Sequence, residues 1–288
     1  MEFNYKKDIE SAKNLLELSN KEIAKFFNVS RMTFFRWWSG RSHPTYQNLN
    51  SIYGTLYAND IKINEIKSEL YKSRESSFRK ILYHGAKSEI VGNVTVNKGE
   101  EKKDFGKAFY LGESLLQSAS FISNYPSSCV YVFECNIKNL KTKEYDVSIE
   151  WMVLVSYFRQ KLEPYKKSKF LQNLLLEIEG LDLVIAPIAD NTIYDLIDSF
   201  AEGDITDLQC IHALSANWLG KQYVFLNDNA INKSLKMIDR LFLCDEEKDF
   251  YNKRREENTK IGKDKMKLAK REFAGKGKYI EELLKWTK

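Results

Sequence analysis

The chain has 288 residues, 43% of them hydrophobic and 13% aromatic, with 45 Lys+Arg against 40 Asp+Glu. That apolar content excludes wholesale disorder, and the length suits two domains or one large domain with additions. The longest uninterrupted apolar runs, such as Trp151–Val155, fall far short of the ~18 residues of a membrane helix. The start, MEFNYKKDIESAKN, has neither an apolar core nor a small-residue cleavage site, so no secretory route and no membrane partner is expected.

Cys129, Cys135, Cys210 and Cys244 show no CxxC spacing and no nearby His cluster. They read as reduced thiols in a cytoplasmic protein, with no disulfide frame and no metal. Charge is segregated. Residues 1–75 carry 12 basic and 9 acidic side chains, 76–245 carry 19 and 22, and 246–288 carry 14 and 9. A slightly acidic middle therefore lies between two basic flanks, a pattern that attracts polyanions.

In chain order, residues 4–75 read as helix throughout, with apolar residues at three and four spacing (Leu15, Leu16, Ile23, Ala24, Phe27). Within them, NKEIAKFFNVSRMTFFRWWSGRSHPT has the spacing of two helices joined by a tight turn. Asn20 is placed to cap the first helix, Asn28-Val29-Ser30 to form the turn, and Ser30 to cap the second. Phe34 and Trp37 or Trp38 are expected to face inward, leaving Arg31, Met32, Thr33 and Arg36 available to a DNA groove. This stretch resembles the phage-repressor-like helix-turn-helix family, whose pattern runs EIAxxLxVSxxTxxRWxxG. The resemblance covers about 50 residues and implies DNA binding or, alternatively, protein docking.

From Ser76 to about Asn227, strand-like runs (ILYH, SCVYVFECNI, LDLVIAPI, QYVFL) alternate irregularly with helical ones (ESLLQSASFI, EWMVLVSYFRQKL, TIYDLIDSFAEG, DLQCIHALS). That mixture predicts an α+β domain. After Cys244 the composition turns to Lys, Arg and Glu, which predicts an exposed helical tail. The expected division is 1–75 (helix-turn-helix domain), 76–245 (α+β domain) and 246–288 (basic tail).

Three separated segments in the middle carry the chemistry. They are Tyr83-His84-Gly85, Asp104-Phe105-Gly106-Lys107-Ala108-Phe109-Tyr110 with the following Gln117–Phe121 helix, and Lys221-Gln222-Tyr223-Val224. In this order they resemble the ADP-ribosyltransferases of the diphtheria-toxin and poly(ADP-ribose) polymerase type, and more closely a bacterial branch of that superfamily without an assigned function. The resemblance covers about residues 79–240 and implies an ADP-ribosyltransferase-like split β-sheet with NAD as co-substrate and no metal.

It further implies that His84 hydrogen-bonds the adenosine ribose and that the Gly85 backbone pairs with the nicotinamide carboxamide. Tyr110 would form one wall of the nicotinamide slot, Phe121 the second stacking ring, and Ser118 would hold the carboxamide. The chain departs from the pattern at the third catalytic position, where Gln222 replaces a glutamate. A glutamine carbonyl can accept a hydrogen bond from the ribose 2′-hydroxyl, but it can neither take a proton nor supply a full charge.

The function implied is mono-ADP-ribosyl transfer, in a bacterial toxin or phage-defence effector that an antitoxin could restrain. The alternatives are a DNA-binding transcription regulator with a non-catalytic NAD-sensing domain, and an NAD glycohydrolase. The basic flanks favour nucleic acid over protein as acceptor, with Lys263, Lys265, Lys267, Lys270 and Arg271 among the phosphate-contact candidates. His212 reads as a packed or half-exposed helix residue, and Glu113 with Ser114 as helix caps.

Overall fold

The computed structural model describes residues 2–189, 191–216 and 219–285, so Asn217 and Trp218 of the ALSANW segment lie outside the described residues. Five helices open the chain: α1 (Tyr5–Leu15), α2 (Asn20–Phe26), α3 (Arg31–Trp38), α4 (Tyr46–Ala58) and α5 (Ile63–Lys72). Side-chain caps set where three of them start. The cap of α2 is Ser19 rather than Asn20, because Glu22 three residues on completes a reciprocal capping box, its carboxylate bonding the Ser19 N–H at 2.9 Å. Ser30 caps α3 through the Thr33 N–H at 3.0 Å, and Thr45 caps α4.

The chain continues through β1 (Arg79–Ala86), β2 (Phe109–Gly112), α6 (Leu115–Ser120), β3 (Cys129–Asn136), β4 (Thr142–Glu144) and α7 (Ile149–Phe158). Next come α8 (Lys169–Ile178), β5 (Leu183–Pro187), α9 (Asn191–Ala201), α10 (Asp207–Ser215) and β6 (Lys221–Phe225). It closes with α11 (Asp228–Ser234), β7 (Leu235–Phe242), α12 (Asp245–Glu272) and α13 (Ile280–Leu284). The class is mixed α+β. Among the described residues no helix is long and apolar enough to cross a membrane, and no group of His, Cys, Asp or Glu side chains could hold a metal ion. All four cysteines are buried and free.

Tertiary contacts divide the chain into two compact units. The first comprises Met1–Ile90, Leu115–Glu134 and Met237–Arg254, and the second Val91–Ser114, Cys135–Lys236 and Arg255–Lys288.

In the first unit the N-terminal helices bury Ile9, Ile23, Ala24, Phe27, Phe34, Trp37 and Ile52 in one core, which Phe242 of β7 joins. The strands run in the order β1-β3-β7. A buried charge network ties the helices to β7. Lys67 Nζ lies 2.8 Å from Asp8 and 2.7 Å from Asp239, while Tyr53 donates to Asp8 and Tyr71 to Asp239. Buried charges need such partners, since removing one leaves the others uncompensated.

In the second unit the strand order is β4-β5-β6-β2. The β4–β5 pair is parallel, whereas β5–β6 and β6–β2 are antiparallel. One face of these strands, with Val184, Ala186 and Val224, packs into a core built by α7, α9 and α10. The WMVLV run becomes the centre of α7 and is wholly buried, as a helix apolar all round must be.

Candidate functional site

Each segment singled out in the sequence is placed by a specific local structure. In the first unit, β1 runs on through His84 and Gly85 to Ala86 rather than stopping at the histidine. His84 is half-buried. Gly85 is required by packing: a Cβ there would collide with the backbone carbonyl of Ser118 and lie 2.9 Å from Ile122 Cγ1. The absence of a side chain lets α6 settle directly on β1. Ser118 is buried, and its hydroxyl donates to the Tyr83 carbonyl at 3.1 Å, which leaves its lone pairs as acceptors. Phe121 lies one residue beyond the end of α6, 42% exposed, rather than within the helix as the sequence suggests. The first unit thus brings His84, Gly85 and Ser118 together.

The same unit carries α2 and α3. Asn28 adopts φ +53° in the turn between them, a conformation asparagine tolerates better than most residues. Phe34 and Trp37 are buried, and Trp38 stacks on Phe34 at 5.8 Å. Arg31, Met32 and Arg36 are exposed and Thr33 is half-exposed, so one face of α3 is free of the helical core.

The second unit brings Tyr110 and Gln222 together. They lie on adjacent antiparallel strands, with Tyr110 opposite Val224 and Gly112 opposite Gln222, which puts both side chains on one face. The residues flanking Gln222 across the strands are Gly112 and Ala186, so little bulk crowds its amide.

That amide is held from two sides. Its Nε2 donates to Asp104 Oδ2 at 2.7 Å and to the Pro187 carbonyl at 3.0 Å. Both partners are acceptors, so the orientation is forced: turning the amide over would set its oxygen against two oxygens. Among the described residues Gln222 Oε1 has no hydrogen-bond partner, and it is not sealed from solvent.

Asp104 is the residue that sequence reasoning passed over. It is 2% exposed, and its Oδ1 has no hydrogen-bond partner. Burial raises its pKa, opposed by hydrogen bonds from Gln222 and Tyr194 and by the charge of Arg159. Arg159 in turn stacks over the Tyr194 ring at 3.5 Å. The signal was present in the sequence: a glutamine where an acid is expected asks for a carboxylate elsewhere, and DFG supplies one beside the Tyr110 motif.

Residues 80–237 match the family described as "Protein of unknown function (DUF3990)". The chain belongs to the DUF3990 family. No curated protein and no solved structure matches it. The family span holds β1, the Asp104–Tyr110 segment and β6, and leaves α1–α5 and α12 outside it.

Tyr110 is fastened to the same loop as Asp104. Its hydroxyl accepts from the Phe105 N–H at 3.1 Å and donates to the Gly106 carbonyl at 2.7 Å. Burial and the nearby Asp104 push its pKa well up, so it stays a neutral phenol. Lys103 Nζ stands 5.3 Å from the ring centroid, so this ring already attracts one cation to its face. At the end of β6, Glu113 accepts from the Lys221 N–H at 3.0 Å and Lys221 pairs with Glu144. The Glu113 carboxylate therefore closes the β2–β6 pair, a role distinct from the helix cap expected of it. His212 stacks flat on Phe273 with ring centroids 3.5 Å apart.

Proposed function

We propose that this DUF3990 protein transfers ADP-ribose from NAD to a nucleophile, on an ADP-ribosyltransferase-like split sheet. The observation that carries the reading is the Asp104–Gln222 pair. Both amide hydrogens of Gln222 are committed within the protein, and its carbonyl oxygen is left as an oriented acceptor for a ribose hydroxyl. A carboxylate hydrogen-bonded to the amide polarises it and increases the negative charge on that oxygen. The pair thereby supplies part of what a glutamate would give directly.

In the transfer, the bond between ribose C1′ and the nicotinamide nitrogen breaks, and nicotinamide leaves with the electron pair as a neutral base. A lone pair of the acceptor forms the new bond to C1′, and the acceptor's proton passes to water. The ribose ring gains positive charge on the way, which a preorganised negative end of the Gln222 dipole stabilises. The Tyr110 face suits a flat cationic ring, as the Lys103 contact illustrates. The resemblance assigns the adenosine ribose to His84, the carboxamide to Gly85 and Ser118, and a stacking ring to Phe121. The test is release of free nicotinamide when purified full-length protein is incubated with NAD: turnover supports the reading, and intact NAD in the presence of extract removes it.

A second reading concerns α2 and α3, which we propose form a DNA-binding helix-turn-helix. The exposure of Arg31, Met32 and Arg36 and the part-exposure of Thr33 along α3 favour it. Replacing Arg31 and Arg36 with alanine should weaken duplex DNA binding and flatten its salt dependence by about one unit for each phosphate no longer neutralised. Unchanged affinity and slope would reassign this face to a protein partner such as an antitoxin.

A further inference from the structure

Lys263, Lys267, Lys270 and Arg271 line a cleft of about 570 Å³ in the second unit, between α12 and α9. Their spacing along α12 sets them on one face, over about 12 Å of helix at 1.5 Å per residue. Among the described residues none of the four makes an ion pair. Elsewhere in the same unit Lys143, Lys161, Lys166 and Lys221 each pair with a carboxylate. One carboxylate, Asp195, lines the cleft, while Glu256, Glu257, Asp264 and Glu272 of α12 do not. Four cations held together with one carboxylate beside them repel one another, an arrangement that a multivalent anion relieves.

The cleft walls are fixed. Met266 is buried beneath the stripe, and Gln209 of α10 donates to the Lys270 carbonyl at 2.9 Å, bracing α12 at this point. The other side of α9 carries Tyr194, one of the groups that act on Asp104 in the site already described. One helix therefore carries both features.

We infer that this cleft binds the phosphate backbone of a single nucleic-acid strand. A row of cations along a helix matches the regular charge of a phosphodiester chain. Apolar side chains beside the stripe, Leu196, Met266 and Ala274, suit the sugar and base faces that a single strand exposes and a duplex keeps stacked. The inference rests on charge and shape alone and does not depend on NAD chemistry.

The experiment is fluorescence anisotropy of a labelled single-stranded oligonucleotide with the full chain and with a variant carrying Gln at all four positions. Gln preserves helix propensity, and a circular-dichroism melt checks the fold. The variant is expected to bind roughly tenfold or more weakly at low salt, with a log–log salt slope shallower by about 3 if all four contact phosphates. The same loss is expected in an Arg31→Ala/Arg36→Ala background, because α3 lies in the other unit. Unchanged affinity, or equal loss for a duplex of the same length, would overturn the inference. So would displacement of the strand by inorganic tripolyphosphate at equal phosphate concentration, since the occupant would then be a free polyphosphate. No NAD is present in the assay, so its failure leaves the proposed transfer untouched.

Discussion

Gln222 donates an amide hydrogen to Asp104 at 2.7 Å, from one strand of the second unit to the loop that also fastens Tyr110. The carboxylate is buried and half-satisfied, with Oδ1 unpartnered. An unsatisfied buried oxygen costs stability that a structural role alone would not require. Asp104 is therefore the residue on which function and stability should part.

Asp104→Asn keeps the shape and an acceptor for Gln222 but removes the charge. The folded pKa of Asp104 is raised by burial, so ionising it destabilises the fold, and this penalty is absent below the unfolded carboxyl's pKa. The variant should melt at a higher temperature than wild type at pH 8, with the difference closing toward pH 4. NAD turnover should fall roughly tenfold, the difference between a charge-assisted and a neutral hydrogen bond. Lower melting temperature together with unchanged kcat would contradict the assigned role.

Gln222→Glu restores the side chain that the resemblance leads one to expect, yet the structure argues against a gain. The new oxygen would face Asp104 Oδ2 and the Pro187 carbonyl, both acceptors. Two carboxylates at that distance share a proton, so the pair's apparent pKa rises. Stability should be close to wild type where the pair holds its proton and should drop as pH rises through that pKa. Thermal melts from pH 5 to 8 check this; a flat profile would mean that the introduced carboxylate had turned away from Asp104.

Gly85→Ala should destabilise the first unit by about 1–3 kcal/mol, because the colliding atom is a backbone oxygen that no rotamer change can move. A denaturant melt reads the change, and wild-type stability would show that α6 stands further from β1.

Glu247 of α12 is fully buried, accepting from Asn64 at 2.8 Å and Tyr251 at 3.0 Å, and burial pushes its pKa from 4.5 up to about 7. The neighbouring Glu65 adds to the rise and Lys67 opposes it. The raised value means that stability held below pH 4.5 is lost as pH climbs through 7. Glu247→Gln should recover up to about 3 kcal/mol at pH 8 and nothing at pH 4.5. Equal melting temperatures at both pH values would show that Glu247 stays ionised throughout.

Much of this structure could be read from residue order. The α2–α3 turn announced itself through Ser30 and Asn28, and α7 through an apolar run too dense for a surface helix. The strand β7 escaped because Asp239 and Arg240 interrupt its alternation, and both are buried among distant partners, Lys67 and Tyr71 for the first and Cys129 and Glu89 for the second. The role of Asp104 was hidden for the same reason, since its amide partner lies 118 residues away. The basic residues of α12 were countable in sequence, but which of them share a cleft with α9 depends on helix phase and docking.

The central claim is transfer of ADP-ribose, and label movement tests it most directly. NAD labelled on its adenylate phosphate is incubated with extract and with wild-type protein, His84→Ala or Tyr110→Ala, and macromolecular label is measured before and after nuclease or protease. Wild type should transfer label that nuclease removes, and both folded variants should transfer none. Wild-type levels of transfer by either variant, or no label on any macromolecule with the wild type, would contradict the account.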